Sequence, residues 1–226
     1  MREFRVGVLG GTFNPIHLGH LHIAQEIQKL FSLTQVHFVV ASAPPHKSLD
    51  GLIPFAHRYA MVSLATAAHP SFIPSMAELA PPSSPFTIDT MGKMESRFRR
   101  QKGIIYFIAG RDSLNDVKAW KESEKLLASY NFIFAGRPGA AEIMYKDALP
   151  GKAASRVIDL TGVSRRAVMR RVADQGRKKG IYIVDVGAPN ISATHIRRLA
   201  SSGKSIRRYV PGLVCEYLNK ICLYGE

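Results

Sequence analysis

The sequence lacks both features that would direct a chain into or across a membrane. No run of residues is apolar enough over the roughly 20 positions that a bilayer-spanning helix needs. The opening residues, "MREFRVGVLGG", lack the cationic start, apolar middle and small-residue cleavage site of a secretory signal. We therefore expect a cytoplasmic protein.

Cysteine is scarce, with only Cys215 and Cys222 in 226 residues. So few cysteines exclude a disulfide framework, and their spacing along a helix places them too far apart for easy bridging. We interpret both as small buried thiols in a reducing compartment, rather than as a disulfide or a metal pair.

Acidic residues are also few: 17 Asp and Glu stand against 31 Lys and Arg, which gives a formal net charge of +14. A field of this sign attracts nucleotides, nucleic acid or anionic lipid, and does not choose among them. Much of the excess lies in residues 163–180, a stretch that also reads as an ordinary solvated basic face.

Short apolar runs alternate with segments of helical periodicity. The runs are apolar throughout instead of alternating in and out, which predicts an α/β fold, a parallel sheet covered by helices on both faces. Strands are predicted at 4–10, 36–42, 103–110, 131–136 and 181–186, with a Pro-containing edge strand at 72–76. Helices are predicted within 23–31, 55–68, 87–101, 122–130, 195–203 and 210–225.

No internal repeat, low-complexity tract or long linker divides the chain. We therefore predict a single domain over 1–226. Within it, 139–180 is a variable basic segment with one helix, and 190–226 is a C-terminal helical part.

The stretch "GGTFNPIHLGHLH" (10–22) stands where the first strand gives way to the first helix. Ligands of an open parallel sheet gather beyond the carboxyl ends of its strands, and a helix N-terminus there attracts anions. Gly10 and Gly11 permit close backbone approach to a ligand. His17 and His20, three positions apart, can point the same way and donate to phosphate oxygens. The stretch predicts a phosphate cradle.

Two other interpretations of this stretch remain open. A zinc site is poorly supported, because the HxxH pair has no cysteine, no nearby carboxylate and no HExxH pattern. An ordinary turn with surface histidines is the other alternative. His22 points in a different direction and receives no role.

Further motifs give the chain a specific resemblance. They are "PPHK" (44–47), "SPFTIDTM" (84–91), "GRDSLNDVKAW" (110–120), "RPG" (137–139) and "NISATHIR" (190–197). Together with "GGTFNPIHLGH", in this order, they resemble the HxGH nucleotidyltransferase superfamily, and within it the bacterial nicotinate mononucleotide adenylyltransferases. The likeness runs from residue 6 to about residue 224 and is weakest over 139–180.

The resemblance implies a Rossmann-like, doubly wound sheet and a reaction. The family transfers AMP from ATP to nicotinate mononucleotide, releasing pyrophosphate and making the deamido form of NAD, a step of NAD biosynthesis. Mg²⁺ would be carried by the ATP phosphates, since it keeps its waters and needs few protein ligands. The implied partners are therefore ATP and nicotinate mononucleotide.

The resemblance also implies roles for individual residues. It makes His17, His20 and Arg197 catalytic. The other ATP-binding positions are Gly10, Gly11, Thr12, Phe13, Gly110, Asp112, Arg137, Ser192 and Thr194. The positions for the pyridine mononucleotide are Asn14, Lys47, Thr87 and Trp120.

Some of these residues have plainer interpretations. Trp120 would be an ordinary core or anchoring residue in an arbitrary protein, Thr87 a helix N-cap, and Lys47 a solvated loop residue. Asn14 departs from the family, whose bacterial members usually have Asp, whereas eukaryotic relatives that use nicotinamide mononucleotide carry Asn. The choice between nicotinate and nicotinamide substrates therefore stays open.

Other functions remain as alternatives. Phosphopantetheine adenylyltransferases lack the Trp120 motif, and cytidylyltransferases usually carry a different final motif. A nucleic-acid-binding protein would use the basic helix in 163–180, but that segment lacks interleaved aromatics and the interpretation is disfavoured. The sequence leaves open whether the chain forms a homo-oligomer.

Overall fold

The computed structural model describes residues 3–43, 51–136 and 148–225. A single sheet of seven strands runs through these ranges. The strands are β1 (Arg5–Gly11), β2 (Gln35–Val40), β3 (Phe72–Ser75), β4 (Ile104–Gly110), β5 (Asn131–Gly136), β6 (Val157–Leu160) and β7 (Ile181–Asp185). All neighbouring pairs are parallel, in the order β3-β2-β1-β4-β5-β7-β6.

Helices cover both faces of this sheet. They are α1 (Leu18–Phe31), α2 (Phe55–Thr66), α3 (Thr87–Arg97), α4 (Ser123–Ser129), α5 (Arg165–Gln175), α6 (Ala193–Ser201) and α7 (Gly212–Lys220). The apolar stripes of α1, α2, α5, α6 and α7 join one buried cluster, and those of α3 and α4 join a second on the opposite face. The predicted doubly wound α/β fold is confirmed. None of the helices in the described ranges has the length and apolar character to cross a bilayer.

The strand order creates a switch point beside β1. The chain runs outward from β1 through β2 to β3, then returns to place β4 on the other side of β1. The connections that leave β1 and β4 therefore diverge and open a crevice at the carboxyl ends of these strands, where ligands of such sheets bind. Gly11 ends β1 at this crevice, and Gly110 ends β4.

Most predicted elements are present, including the edge strand at 72–75, but two predictions are wrong. The variable segment holds β6 in addition to its basic helix, because the four residues Val157–Leu160 pair with β7 at the edge of the sheet, and so short an apolar run does not stand out in the sequence. Cys222 is exposed and Cys215 only half-buried, since α7 ends at Lys220, before the second thiol. Both cysteines are free. The division into one domain over 1–226 stays a prediction.

His37 is a titratable group sealed in the middle of β2. Its side chain is 1 % exposed, and its Nε2 donates to the Gln35 side-chain oxygen at 2.8 Å. Burial lowers the pKa of His37 to about 4, and the charge of Arg97 acts in the same direction. The folded protein therefore holds this ring neutral, whereas the unfolded chain protonates it below about pH 6.5.

We predict that acid destabilises the fold through His37. The pKa is lower in the folded state, so stability falls as the pH drops from about 6.5 towards 4. Between pH 7.5 and pH 5 the loss from this ring is about 2 kcal/mol. Urea unfolding of the wild type and of His37→Phe at both pH values measures it. The variant should show a smaller loss; equal losses would contradict the assignment.

Candidate active site

The segment that follows β1 turns sharply before α1 begins. Phe13 has a left-handed backbone (φ 49°), and its buried ring lies edge-on to His20, with centroids 5.1 Å apart. His17 is the N-cap residue of α1, and Asn14 is buried beneath the turn. We call residues 10–20 the signature loop.

His17 and His20 lie face to face at the start of α1, with ring centroids 3.7 Å apart. The backbone N–H of His17 donates to Nδ1 of His20 at 3.2 Å. Because Nδ1 accepts this bond, Nε2 of His20 carries the proton of the neutral ring. Burial lowers the pKa of His17 to about 4, so this ring is neutral at pH 7. The pair supplies hydrogen-bond donors at the positive end of a helix.

The first turn of α6 lies against the signature loop. Arg197 donates through Nη1 to the backbone oxygen of Asn14 at 2.8 Å, and through Nη2 to Oγ1 of Thr194 at 3.2 Å. Ser192 is the N-cap residue of α6 by its backbone, and no side-chain capping bond engages its hydroxyl. Both hydroxyls are exposed, so α6 presents two hydroxyl groups and a guanidinium beside the loop.

Arg58 is buried and binds the signature loop through the backbone oxygen of Thr12. Its side chain is 1 % exposed and donates to four backbone oxygens: those of Thr12 (2.9 Å), Ala41 (2.6 Å), Ser42 (3.3 Å) and Ile53 (3.0 Å). These carbonyls follow β1 and β2 and precede α2. One side chain therefore joins the segments after two neighbouring strands.

Burial lowers the pKa of Arg58, and the charge of Glu78 opposes this shift. A guanidinium has so high an intrinsic pKa that it stays ionised here. Glu78 accepts from the N–H and the hydroxyl of Ser42 at 2.7 and 3.1 Å, while burial raises the pKa of its carboxyl. The buried cation thus has a buried carboxylate near it.

The end of β4 leaves room for a ligand. A Cβ at Gly110 would lie 2.4 Å from Oδ1 of Asp112, so only glycine lets this carboxylate fold back over the strand end. Asp112 itself is exposed. Its oxygens are therefore accessible to hydroxyl donors.

Trp120 packs on the sheet face that carries α3 and α4, and Thr87 begins α3 on that face. The half-buried indole packs edge-on to the ring of Phe107, with centroids 5.8 Å apart, and a Cβ at Gly10 would lie 3.2 Å from that same ring. Lys121, next to Trp120, pairs with Asp89 of α3 at 3.1 Å. Thr87 is the first residue of α3, where backbone N–H groups lack helical partners. The alternative interpretation of Thr87 as the N-cap is wrong, because Phe86 occupies that position.

The structure thus brings most of the predicted residues to one crevice. Gly10, Gly11, Thr12, Phe13, Asn14, His17 and His20 form its floor, and Thr194 and Arg197 lie against it. Gly110 ends β4 and Asp112 follows it, whereas Trp120 and Thr87 lie on the sheet face that carries α3. Lys47 and Arg137 lie outside the described residues. His22 turns away as predicted, with Nε2 2.7 Å from the oxygen of Val186.

Arg58 and Glu78 are not among the residues predicted from the sequence. A signal for Arg58 was present, since it shares the helical spacing of the buried residues Met61, Val62 and Ala65. A cation on such an apolar stripe needs buried partners. Glu78 follows an edge strand in an irregular segment, and no periodicity marks it.

We predict that Arg58→Met destabilises the fold by at least about 3 kcal/mol, because several buried carbonyl groups lose their donor. Arg58→Lys should recover part of this loss, since one ammonium cannot reach all four oxygens. The exposed Arg166→Met serves as the matched control and should change stability by less than about 0.5 kcal/mol. Urea unfolding measures all three, and an Arg58→Met variant as stable as the control would contradict the role.

Comparison with known proteins identifies relatives of this chain. The cytidylyltransferase-like family model matches residues 8–199. A protein of Geobacter metallireducens named "Probable nicotinate-nucleotide adenylyltransferase" is 39% identical over 97% of this chain and 98% of its own length. One of the same name from Geobacter sulfurreducens is 36% identical over 98% of this chain and 99% of its own.

A solved structure shares the fold. The nicotinic acid mononucleotide adenylyltransferase of Plasmodium falciparum, complexed with NaAD, superposes with a TM-score of 0.71, covering 98% of each chain at 19% identity. Together with the full-length sequence identity to the bacterial relatives, these matches confirm the resemblance of the motifs. The chain belongs to the nicotinate-nucleotide adenylyltransferases of the cytidylyltransferase-like family.

Proposed function

We propose that the protein transfers AMP from ATP to nicotinate mononucleotide, giving the deamido form of NAD and pyrophosphate. The observation that carries this proposal is the stacked pair His17 and His20 at the start of α1, with Arg197 fixed against the same loop. These donors and this cation meet at the switch point of the sheet, where a nucleotide would lie.

The reaction needs no protein base. A phosphomonoester has a second pKa near 6, so the acceptor phosphate is largely dianionic at neutral pH and is itself the nucleophile. One of its oxygens bonds to the α-phosphorus of ATP. The bond from that phosphorus to the bridging oxygen breaks, and pyrophosphate leaves with the electron pair. The obstacle is repulsion between anions, so catalysis depends on position and electrostatics.

The two histidines meet this need as hydrogen-bond donors, and the buried ring of His17 is neutral. A neutral ring donates one hydrogen bond without binding a competing counterion, and the helix N-terminus adds a positive potential. We assign His17 and His20 to the ATP phosphates. Arg197, with the hydroxyls of Ser192 and Thr194, would bind the phosphates that become pyrophosphate, since a guanidinium matches phosphate geometry.

The sides of the crevice suit the two nucleosides. Close backbone approach at Gly10, Gly11 and Gly110 would admit adenosine, and Asp112 would accept from ribose hydroxyls. Trp120 would stack on the pyridine ring. Free backbone N–H groups at Thr87, where α3 begins, would hold the pyridine carboxylate. We retain Thr12, Phe13, Asn14, Lys47 and Arg137 as further proposed contacts.

Mg²⁺ fits as part of the substrate. The described residues of the signature loop and α6 offer N–H, hydroxyl and guanidinium donors, which suit phosphate oxygens and not a bare cation. The side-chain oxygen of Asn14 already accepts a hydrogen bond. We therefore propose MgATP as substrate, with the ion held by phosphates and water.

We predict that His20→Ala lowers kcat/KM for pyrophosphate release about 100- to 1,000-fold, the typical loss for one transition-state donor. His22→Ala, which removes an imidazole from the same helix outside the crevice, should retain most activity. Both are assayed with MgATP and with nicotinate or nicotinamide mononucleotide. Equal activity of the two variants would contradict the role of His20. A preference for the nicotinamide form would identify nicotinamide mononucleotide as the acceptor.

We predict that Trp120→Leu raises the KM for nicotinate mononucleotide about 10-fold and leaves the KM for ATP nearly unchanged. The reason is the loss of ring stacking, which contributes about 1–3 kcal/mol per base. Trp120→Phe keeps an aromatic face and should lose less. Steady-state kinetics with each substrate varied in turn measures both constants. A rise confined to the KM for ATP would contradict the assignment of Trp120 to the pyridine ring.

A further inference from the structure

Tyr224 brings the last described part of the chain into the active site. It lies beyond the end of α7, and its hydroxyl is 2.7 Å from Oδ1 of Asn14. The residues are 210 positions apart in sequence. Tyr224 also has a left-handed backbone (φ 71°), as does Cys222 (φ 49°). Residues other than glycine seldom adopt this conformation unless their surroundings hold them there, and such outliers concentrate at functional sites.

The hydrogen bonds around Asn14 have one consistent direction. Nδ2 of Asn14 is 2.8 Å from the backbone oxygen of Gly51, which can only accept. The amide nitrogen therefore faces Gly51, and Oδ1 faces Tyr224. Because Oδ1 can only accept, the tyrosine hydroxyl is the donor. Burial raises the pKa of Tyr224, so the hydroxyl keeps its proton wherever the protein is folded.

Asn14 is thus held from three directions. Its backbone oxygen accepts from Arg197, its amide nitrogen donates to Gly51, and its amide oxygen accepts from Tyr224. The side chain is 8 % exposed, so water cannot readily replace a lost partner. Without Tyr224, the amide oxygen would be buried without this donor, and the turn between Phe13 and His17 would be free to shift.

We propose that Tyr224 is a positioning residue for adenylyl transfer: by holding Asn14, it fixes the signature loop in register with Arg197. The proposal rests on the proposed function. Tyr224 acts through Asn14 and need not touch a substrate. Its loss should therefore displace the phosphate-binding donors and lower turnover.

The chain offers a matched control for the test. Tyr217 lies in α7, and its hydroxyl is 2.8 Å from Nδ1 of His57 in α2, a residue outside the crevice. Tyr217→Phe and Tyr224→Phe each remove one tyrosine hydroxyl from a contact made by the C-terminal part of the chain. Thermal unfolding and steady-state pyrophosphate release are measured for both variants and for the wild type.

Tyr224→Phe should lower kcat/KM for ATP about fivefold to tenfold, the equivalent of one hydrogen bond. Its unfolding midpoint should fall no further than that of Tyr217→Phe, which keeps wild-type kinetics. Wild-type kinetics in Tyr224→Phe, or an equal kinetic loss in Tyr217→Phe, would overturn the proposal. An inactive wild type would instead overturn the proposed function.

A double-mutant cycle tests the route through Asn14. On an Asn14→Ala background, Tyr224→Phe should cause no further loss, because its partner is gone. Two losses that simply multiply would show that Tyr224 acts elsewhere and would overturn the proposal. If Asn14→Ala does not fold, the comparison of Tyr224→Phe with Tyr217→Phe decides alone.

Discussion

The site depends on one buried cation beneath the switch point of the sheet. Parallel strands end at the same edge of the sheet, but the backbone carbonyl groups of the loops beyond them have no shared hydrogen-bond donor from the strands themselves. A side chain must provide that support. Arg58 supplies that support, since its guanidinium donates to the oxygens of Thr12, Ala41, Ser42 and Ile53. A lysine could not span these groups, and an apolar side chain would leave them unpaired. The geometry of the signature loop follows from this anchor.

Among the described residues, the site has few formal positive charges with which to bind the negative charge of the substrate phosphates. His17 is neutral because it is buried, and the hydrogen bond into Nδ1 of His20 assigns the proton of the neutral ring to Nε2. The helix N-terminus supplies a fixed potential that needs no counterion, and Arg197 supplies a charge whose position is set by Asn14 and Thr194. Such preorganised groups suit a reaction in which two phosphates must approach each other.

Much of the fold could be predicted from the sequence because its strands are buried on both faces and appear as uninterrupted apolar runs. The stretch "IIYFIAG" is the clearest case. β6 was overlooked because a four-residue edge strand gains its stability from pairing with β7, which no local pattern encodes. The exposure of Cys222 depends on where α7 ends, and helix boundaries are the least certain part of a periodic pattern.

For the crevice, too, some residues could be predicted from the sequence and others could not. Residues on the turn after β1 and at the start of α6 could be named as candidates, because glycine, histidine and hydroxyl residues at such places have a direct chemical meaning, and their roles stay predictions. The contact between Tyr224 and Asn14 joins the two ends of the chain, and a sequence carries no sign of it. Arg58 was discoverable in principle, since a cation on the buried stripe of a helix needs partners.

The most direct test of the account follows the phosphorus atoms. ATP labelled at the α-phosphate or at the γ-phosphate is incubated with the enzyme, Mg²⁺ and nicotinate mononucleotide, and the products are separated. We predict that the α-label appears in the dinucleotide and the γ-label in pyrophosphate. Transfer of the γ-label to the mononucleotide, or no transfer of the α-label to it, would contradict adenylyl transfer at this site.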